Sequence, residues 1–336
     1  MAKAIKGIDL ARKLCAEHPG ATSRSLANRL YRENAERFPT KNAAYLCIRR
    51  ARGNQGEHNR KRCSKTNERR ENQGSGWVQS CPPSHAEEWG PFDLGSGIRV
   101  LSLSDAHVPY HHPKAITAAV DYARKKFKPD VVLINGDWCD FYAVSRWDKD
   151  PKKRDFIGEL ETCRESLSWL RGRFPKARFV FKEGNHEERF TKFIWNKASE
   201  LWGMDACRIE HILKLEEMGI EIVGDQRPIM AGGLPILHGH ELGNFTNSVN
   251  HARGSFLRTL HTVLVGHGHR TSTHCEPNMF GKETTTWSQG CLSAMNAEYA
   301  RFAKWNHGFA TVEVADDGDF NLTNYRISPE WIVRTA

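Results

Sequence analysis

The sequence lacks long apolar runs and paired cysteines. No stretch of its 336 residues approaches the roughly 18 uncharged apolar residues that a membrane span requires. Asp9 and Arg12 stand where a signal peptide would have its apolar segment. The nine cysteines are scattered, odd in number and without a CxxC pair, so neither a disulfide framework nor a zinc knuckle is indicated. We therefore expect a cytoplasmic protein with reduced thiols and no membrane association.

Positive charge is concentrated at one end of the chain. Residues 1–75 contain 18 Lys and Arg against 7 Asp and Glu, whereas the remaining 261 residues contain 31 against 33. Basic segments bind polyanions because binding releases counterions, so nucleic acid is the expected partner. A solvated basic tail that only improves solubility would show the same bias.

Three short helices are predicted for residues 1–53. Apolar residues recur at helical spacing before the Pro-Gly pair at 19–20, and the Thr-Ser pair at 22–23 and Thr40 can cap the next two helices. The third helix carries Arg49, Arg50 and Arg52. This unit resembles a helix-turn-helix, in which a basic helix contacts DNA. Protein-docking modules show the same pattern, so that alternative stays open.

The following stretch, residues 54–96, is polar and rich in Gly, Pro, Ser and charged residues. This composition predicts a linker. Its first half is basic enough to lie along a phosphate backbone.

From Ile98 onward, short apolar runs alternate with amphipathic helices. The runs IRVLSL, DVVLIN, ARFVF, LPIL and TVLV have strand length, and helical segments separate the first three. Near the end, HGFATVEV and FNLTNYRI are joined by an Asp-Gly pair typical of a hairpin turn. At 39% apolar content the chain can bury a full core. The repeated βα units predict an α/β domain over residues 97–336, with helices on both faces of a sheet.

Polar clusters follow five of these strands. In chain order they are Asp105-Ala106-His107, Gly136-Asp137 with Asp140, Gly184-Asn185-His186-Glu187, His238-Gly239-His240, and Gly266-His267-Gly268-His269. In α/β sheets, ligands bind beyond the carboxyl ends of the strands, where these clusters can converge. One such cluster would be an ordinary turn, but five in succession predict a common site.

The side chains in these clusters are of types that commonly bind divalent metal ions. Imidazole, carboxylate and amide oxygen without thiolate suit Mn²⁺, Fe²⁺ or Zn²⁺. Six or seven ligands exceed the needs of one ion, whereas two ions about 3.5–4 Å apart would use them all if one carboxylate bridged them. We expect two divalent ions, with Mn²⁺ the first choice and Asp137 the bridge.

The ordered set SDAH, GDWCD, GNHE, HGH and GHGH resembles the calcineurin-like metallophosphoesterase superfamily over about residues 98–327. The resemblance implies a two-sheet α/β sandwich with a dinuclear metal site. One ion would be bound by Asp105, His107 and His269, the other by Asn185, His238 and His267, and Asp137 would be shared. It also implies that His186 is the catalytic imidazole, which protonates the leaving group or stabilises the transition state, and that Asp140 orients it.

One residue departs from a pattern within the superfamily. Its phosphoprotein phosphatases carry Arg directly after G-D-x-x-D to hold phosphate, and this chain has Phe141. A Ser/Thr protein phosphatase is therefore disfavoured, and Arg189 or Arg270 could contact the phosphate instead. The other polar residues of the motifs, Glu187, Glu188 and His240, are expected to be neighbours of the ligands or surface groups.

The sequence thus predicts a metal-dependent phosphoesterase that hydrolyses phosphodiester or phosphomonoester bonds, with an activated hydroxide as the nucleophile and nucleic acid as the substrate. The order of a basic helical unit, a linker and this catalytic domain is similar to that of phage and bacterial members of the superfamily. Two alternatives remain. The chain could act on small phosphoesters or nucleotides while its helices dock a protein, or it could be a DNA-binding regulator with a non-catalytic metal fold. The oligomeric state leaves no signature in the sequence.

Overall fold

The computed structural model describes residues 6–53, 81, 83–86, 89–148, 150–296 and 303–336. The chain divides into two compact units, Met1–Ala86 and Glu87–Ala336. Most of the predicted linker, residues 54–96, lies outside the described residues. Its end does not, because residues 92–93 form a strand of the second unit.

The first unit contains three helices, α1 (Gly7–Glu17), α2 (Ser23–Glu33) and α3 (Lys41–Ala51). Thr22 and Thr40 cap α2 and α3 as predicted, since their hydroxyl oxygens accept the N–H groups of Ser25 and Ala43 at 3.2 and 3.1 Å. The helices bury a small apolar core formed by Ala11, Leu14, Leu26, Ala27, Leu30, Phe38, Ala44 and Ile48. The connections span residues 18–22 and 34–40, longer than the three to four residues of a typical helix-turn-helix.

The second unit contains thirteen strands and five α-helices among its described residues. The strands are β1 (Phe92–Asp93), β2 (Ile98–Leu103), β3 (Val131–Asn135), β4 (Arg178–Lys182), β5 (Ile220–Val223), β6 (Ile229–Ala231), β7 (Leu234–Leu237), β8 (Val263–Val265), β9 (Ser272–Pro277), β10 (Glu283–Ser288), β11 (Gly308–Val314), β12 (Phe320–Ile327) and β13 (Val333–Thr335). The helices are α4 (Pro113–Tyr122), α5 (Phe156–Arg173), α6 (Glu187–Lys197), α7 (Ile209–Ile212) and α8 (His251–Thr259). Throughout the described part of the chain, no helix combines the length and apolarity needed to cross a membrane.

The strands form two sheets. The larger has the order β13-β12-β11-β2-β3-β4-β5, in which β2 to β5 run parallel and the rest pair antiparallel. The smaller has the order β1-β6-β7-β8-β10-β9. The strand β5 was not among the predicted strands. The β11–β12 hairpin forms with the predicted Asp-Gly turn.

Successive residues along the strands of the larger sheet pack into two different apolar cores, one on each face of the sheet. Val100, Val131 and Val180 pack against Leu234 and Leu264 of the smaller sheet. Their chain neighbours point the other way, and the core on that side is shared with α4, α5 and α6. The expectation of helices on both faces is therefore wrong, because the second sheet covers one face. The two-sheet α/β sandwich is confirmed.

Candidate metal centre

Five loops deliver the predicted ligands to one place. Each loop begins where a strand ends: β2, β3 and β4 in the larger sheet, and β7 and β8 in the smaller. Within each sheet these strands are parallel, so their carboxyl ends lie at the same edge. This strand arrangement brings the five loops close together.

The first cluster contains Asp105, His107 and His269. Nε2 of His269 lies 3.1 Å from Nε2 of His107 and 3.1 Å from Oδ1 of Asp105. Ligands at right angles around an ion, each about 2.1 Å from it, lie about 3 Å apart. All three side chains are buried, so both the distances between the donor atoms and the burial of the cluster match a metal site.

The second cluster contains Asp137, His238 and His267. Nε2 of His238 lies 3.3 Å from Oδ2 of Asp137. Nδ1 of His238 is 2.8 Å from the carbonyl oxygen of Asn135, a contact that fixes the imidazole ring and leaves Nε2 for a ligand. Asn185 follows β4, and its Oδ1 atom is buried without a hydrogen-bond partner.

Asp137 lies between the two clusters. Its Oδ1 atom accepts the backbone N–H of His186 at 2.9 Å, which fixes the carboxylate. Its Oδ2 atom lies 3.3 Å from Nε2 of His238 and 3.9 Å from Nε2 of His107. One carboxylate oxygen therefore faces imidazoles of both clusters.

Asp140 connects a predicted ligand with the predicted catalytic histidine. Its Oδ1 atom lies 3.1 Å from Nδ1 of His107 and 3.1 Å from Nδ1 of His186. A third group of close side chains, His107, Asp140 and His186, arises from these contacts. Because the carboxylate faces Nδ1 of both rings, it directs both Nε2 atoms toward Asp137 and its surroundings.

The two candidate phosphate-binding arginines differ in position. Arg189 donates to the carbonyl oxygen of Asp140 at 2.9 Å and to Nε2 of His186 at 2.7 Å. Arg270 is partly buried beside His251, whose pKa it lowers together with burial, the larger cause. Phe141 is fully buried and packs against two phenylalanine rings, so it belongs to the core.

Most of the predicted ligands have a rare backbone conformation. Asp105, His107, Asp137, His267 and His269 all have φ between 52° and 59°, the left-handed region. Residues other than glycine seldom adopt this backbone conformation. Those that do are concentrated at functional sites, where the surrounding structure holds the backbone in place.

Two glycines allow the loops to approach closely. A Cβ on Gly136, whose φ is +81°, would lie 2.4 Å from Nδ1 of His238, and a Cβ on Gly184 would lie 2.2 Å from Oδ1 of Asp137. Glycine is required at position 184 because there is no space for a side chain against Asp137.

Glu187 has a larger role than the sequence indicated. Its buried carboxylate accepts the backbone N–H groups of Asp137, Cys139 and Gly184 at 2.9, 3.0 and 2.9 Å. It therefore ties the loop after β3 to the loop after β4. Its position directly after His186 was visible in the sequence, but its burial was not.

A buried ion pair, which was not predicted from the sequence, fixes the backbone at His238. Lys182 is fully buried at the end of β4, and its Nζ atom lies 2.9 Å from Oε1 of Glu241. Glu241 in turn accepts the N–H groups of His238 and Gly239. His240 lies between two carboxylates, with Nε2 2.9 Å from Oε1 of Glu188 and Nδ1 3.6 Å from Oε2 of Glu241.

The three aspartates of the site are ionised although they are buried. Burial raises the pKa of Asp105, but His269 and His238 together outweigh it and lower the pKa to about 2. For Asp137 and Asp140, too, neighbouring histidines overcome burial and lower the pKa well below the usual range. Burial, reinforced by the charge of Asp137, raises the pKa of Glu187 to about 7.

The imidazoles of the site differ from one another. Burial lowers the pKa of His267 to about 3. Burial also lowers the pKa of His238 and His269, but Asp137 and Asp105 outweigh it and raise the pKa of His238 to about 10 and that of His269 well above its usual range. A cation bound by these two imidazoles would therefore displace a proton from each.

The donor atoms fit a pair of divalent cations. Buried atoms without a hydrogen-bond partner include Asp105 Oδ1, Asp137 Oδ2, Asn185 Oδ1, His238 Nε2 and His267 Nδ1. Leaving such atoms unpaired in a protein interior is unfavourable, and their convergence indicates that a cation satisfies them. They are nitrogen and oxygen donors, the type that divalent transition metals prefer.

In the first unit, the three predicted contact arginines lie at the end of α3. Arg50 is exposed, and Arg49 lies over the ring of Tyr45 at 5.9 Å. Arg52 donates to the hydroxyl of Ser23 at 3.1 Å and to the carbonyl oxygen of Ala21, so it links α3 to the start of α2.

This chain is similar to one protein family and to several known proteins. The family model described as calcineurin-like phosphoesterase matches residues 98–306. Two curated proteins, each called Gene 54 protein, from Mycobacterium phages L5 and D29, are 27% and 25% identical in alignments 232 residues long, which cover 64% of this chain and 89% of each relative. A solved structure of a Vps29 single mutant from Entamoeba histolytica matches with a TM-score of 0.37 and 15% identity, covering 71% of this chain and 97% of its own.

Proposed function

The chain belongs to the calcineurin-like phosphoesterase family and is a metal-dependent phosphoesterase, and we propose that it uses two divalent ions to hydrolyse phosphodiester or phosphomonoester bonds of nucleic acid. Asp105, His107 and His269 would hold one ion, and Asn185, His238 and His267 would hold the other. Asp137, which faces both clusters, would be shared. The observation that carries this assignment is the unpaired Oδ2 atom of Asp137, which faces both clusters. Mn²⁺ is the proposed metal, because the donors are imidazole, carboxylate and amide without thiolate.

When bound, such ions lower the pKa of water and neutralise charge on phosphoryl oxygens. The chain's own residues supply the rest. His186 serves as the general acid, and Asp140 holds its Nδ1 atom so that Nε2 faces the centre. Arg189 donates to this Nε2 atom in the structure. An entering phosphate offers the guanidinium a stronger, charged acceptor, so Arg189 turns to the phosphate and releases His186.

Nucleic acid is the proposed substrate because of the basic first quarter of the chain. The surplus charge lies in residues 1–75, and the exposed Arg50 and the neighbouring Arg49 are its best-placed described members on α3. This segment would bring the polymer to the enzyme through its phosphates.

The metal assignment is tested by metal analysis of the full chain after chelation and reloading with Mn²⁺, Fe²⁺ or Zn²⁺. We expect two ions per chain for the wild type and fewer for Asp137→Asn. Chelator-sensitive turnover of bis-p-nitrophenyl phosphate and of p-nitrophenyl phosphate then separates diesterase from monoesterase activity. A wild-type chain that never holds more than one ion would refute the dinuclear proposal.

The nucleic-acid assignment needs its own measurement. We expect Arg49→Ala/Arg50→Ala to weaken polynucleotide binding and to reduce the dependence of affinity on salt, while turnover of bis-p-nitrophenyl phosphate stays unchanged. Equal polynucleotide affinity for this variant, and for a chain that lacks residues 1–75, would favour a small phosphoester as substrate.

A further inference from the structure

A cavity of 820 Å³ lies beside α6 in the second unit. This volume is within the range of small-molecule sites in proteins. One wall is formed by Glu188, Thr191, Lys192 and Trp195, which follow the helical spacing i, i+3, i+4, i+7 and therefore share one face of α6. The opposite side includes Trp202.

Two tryptophans of this cavity are unusually accessible. Trp195 is 52% exposed and Trp202 is 50% exposed, and their rings meet edge to face at a centroid distance of 5.3 Å. Neither ring is needed to fill the apolar core. Exposed aromatic pairs in a concave site are typical of ligand binding, because a flat ligand covers apolar area that water otherwise contacts.

The polar groups of the cavity indicate the chemistry of that ligand. Four carboxylates, those of Glu183, Glu188, Glu210 and Asp225, line the cavity together with three cations, Lys192, Arg208 and Arg227. Glu188 is paired with Lys192, and Glu210 with Arg208, so the cavity carries little net charge to attract either an anionic or a cationic ligand. Carboxylate oxygens do accept hydrogen bonds from uncharged N–H groups. A flat, neutral group with N–H donors on its edge, such as a nucleobase, meets both requirements.

The cavity is also close to the metal centre. Glu188 lines the cavity and contacts His240, and the next residue, Arg189, contacts His186. Trp195 lies seven positions after Glu188, which is about 10 Å along a helix. The chain from His186 through Arg189 to Trp195 therefore runs along one helix from the metal centre to the cavity.

We propose that this cavity is a nucleobase pocket, in which the base next to the hydrolysed phosphate stacks on the ring of Trp195, meets the nearly perpendicular ring of Trp202 at its edge, and donates its N–H groups to the carboxylates. The proposal rests on the proposed function, since it assumes phosphoester hydrolysis at the metal centre. It adds that the substrate is recognised through a base and not through phosphate and sugar alone.

Kinetics on the metal-loaded full chain test this pocket. The substrates are the p-nitrophenyl esters of thymidine and guanosine 5′-phosphate, with bis-p-nitrophenyl phosphate as the substrate without a base. For Trp195→Ala and Trp202→Ala we expect KM for the nucleoside esters to rise about tenfold, since stacking on an aromatic side chain contributes roughly 1–3 kcal/mol per base. KM for bis-p-nitrophenyl phosphate should rise less than KM for the nucleoside esters, because its rings can stack but have no N–H groups to donate to the carboxylates.

The matched control is Phe280→Ala, which removes an 84% exposed aromatic ring from the β9–β10 turn and should alter neither KM. Changes below twofold for the nucleoside esters in both tryptophan variants would overturn the pocket. A lower wild-type KM for p-nitrophenylphosphorylcholine than for the nucleoside esters would also overturn it, because the site would then be a cation cage.

Calorimetry with free guanosine separates failure of the pocket from failure of the proposed function. Guanosine carries no phosphate, so its binding does not depend on hydrolysis. Binding to the wild type that is lost in Trp195→Ala supports the pocket even if none of the esters is hydrolysed. If the wild type hydrolyses bis-p-nitrophenyl phosphate but does not bind guanosine, the pocket is refuted and the phosphoesterase assignment stands.

Discussion

The carboxylate of Glu187 accepts the backbone N–H of Asp137 at 2.9 Å, although 50 residues separate the two along the chain. The same carboxylate accepts the N–H groups of Cys139 and Gly184. Glu187, which belongs to neither proposed ligand set, thus ties together two of the loops that carry the proposed ligands.

Replacing Glu187 with Ala should destabilise the second unit and lower its metal content. The substitution leaves three buried N–H groups without an acceptor, at roughly 1–3 kcal/mol each, so we expect a loss of about 3 kcal/mol or more. Chemical denaturation and metal analysis measure the two effects. The control is Glu217→Ala, which removes an exposed carboxylate and should change stability by less than about 0.5 kcal/mol. Equal stability of the two variants would show that Glu187 does not hold the loops.

Replacing His186 with Ala should abolish turnover without releasing metal. His186 contacts Asp140 and Arg189 but belongs to neither proposed ligand set. Loss of a general acid lowers kcat by roughly 10²–10⁴-fold. Metal analysis of the same preparation should give the wild-type content. Unaltered turnover would refute the catalytic assignment, and loss of metal would mean that His186 is a ligand.

Replacing Asp140 with Asn should affect both functions of that carboxylate. Its Oδ1 atom faces the predicted ligand His107 as well as His186. We therefore expect slower turnover together with weaker metal binding, a combination that His186→Ala should not show. Titration with Mn²⁺ alongside kinetics measures the difference. A variant with slower turnover and wild-type metal affinity would indicate that Asp140 serves His186 alone.

Arg189 and Arg270 should differ when each is replaced with Ala. Only Arg189 contacts His186, so Arg189→Ala should reduce kcat/KM for phosphoesters more than tenfold, and Arg270→Ala less than threefold. Arg189→Lys should fall between them, because Lys keeps the charge but loses the two-pronged donor geometry. The reverse order would assign the phosphate to Arg270.

Glu159 should make stability depend on pH. This residue of α5 is almost fully buried and accepts the N–H of Tyr142 at 3.3 Å. Burial, reinforced by the charge of Asp140, raises its pKa from 4.5 to about 8. The folded protein therefore holds this proton more tightly than the unfolded chain does, and stability falls as pH rises between these values.

The test is to compare Glu159→Gln with the wild type at pH 5 and pH 9 by urea unfolding in the presence of chelator. The amide cannot ionise, so the variant should lose less stability over this range. The difference should reach up to roughly 1.4 kcal/mol per pH unit within the window. Parallel pH profiles for the two proteins would contradict the assignment.

Much of both units was predictable because their sequence signals are local. Strands such as Val131–Asn135 are short apolar runs that end in polar motifs, and the caps Thr22 and Thr40 act within three residues. The failures concern elements defined by distant partners. The strand Ile220–Val223 was not predicted, because its identity depends on pairing with Arg178–Lys182.

The order of the polar motifs, their positions after strands, and the donor types that suit a divalent cation can all be read from the amino-acid sequence. Which of these atoms lie in contact depends on the tertiary fold. Asp137 bridges two clusters, and Lys182 and Glu241 support His238, because strands from two sheets end at one edge. Local sequence specifies residue types and short-range bonds. Contacts between residues 50 to 160 positions apart arise from packing of the sheets, which no single segment encodes.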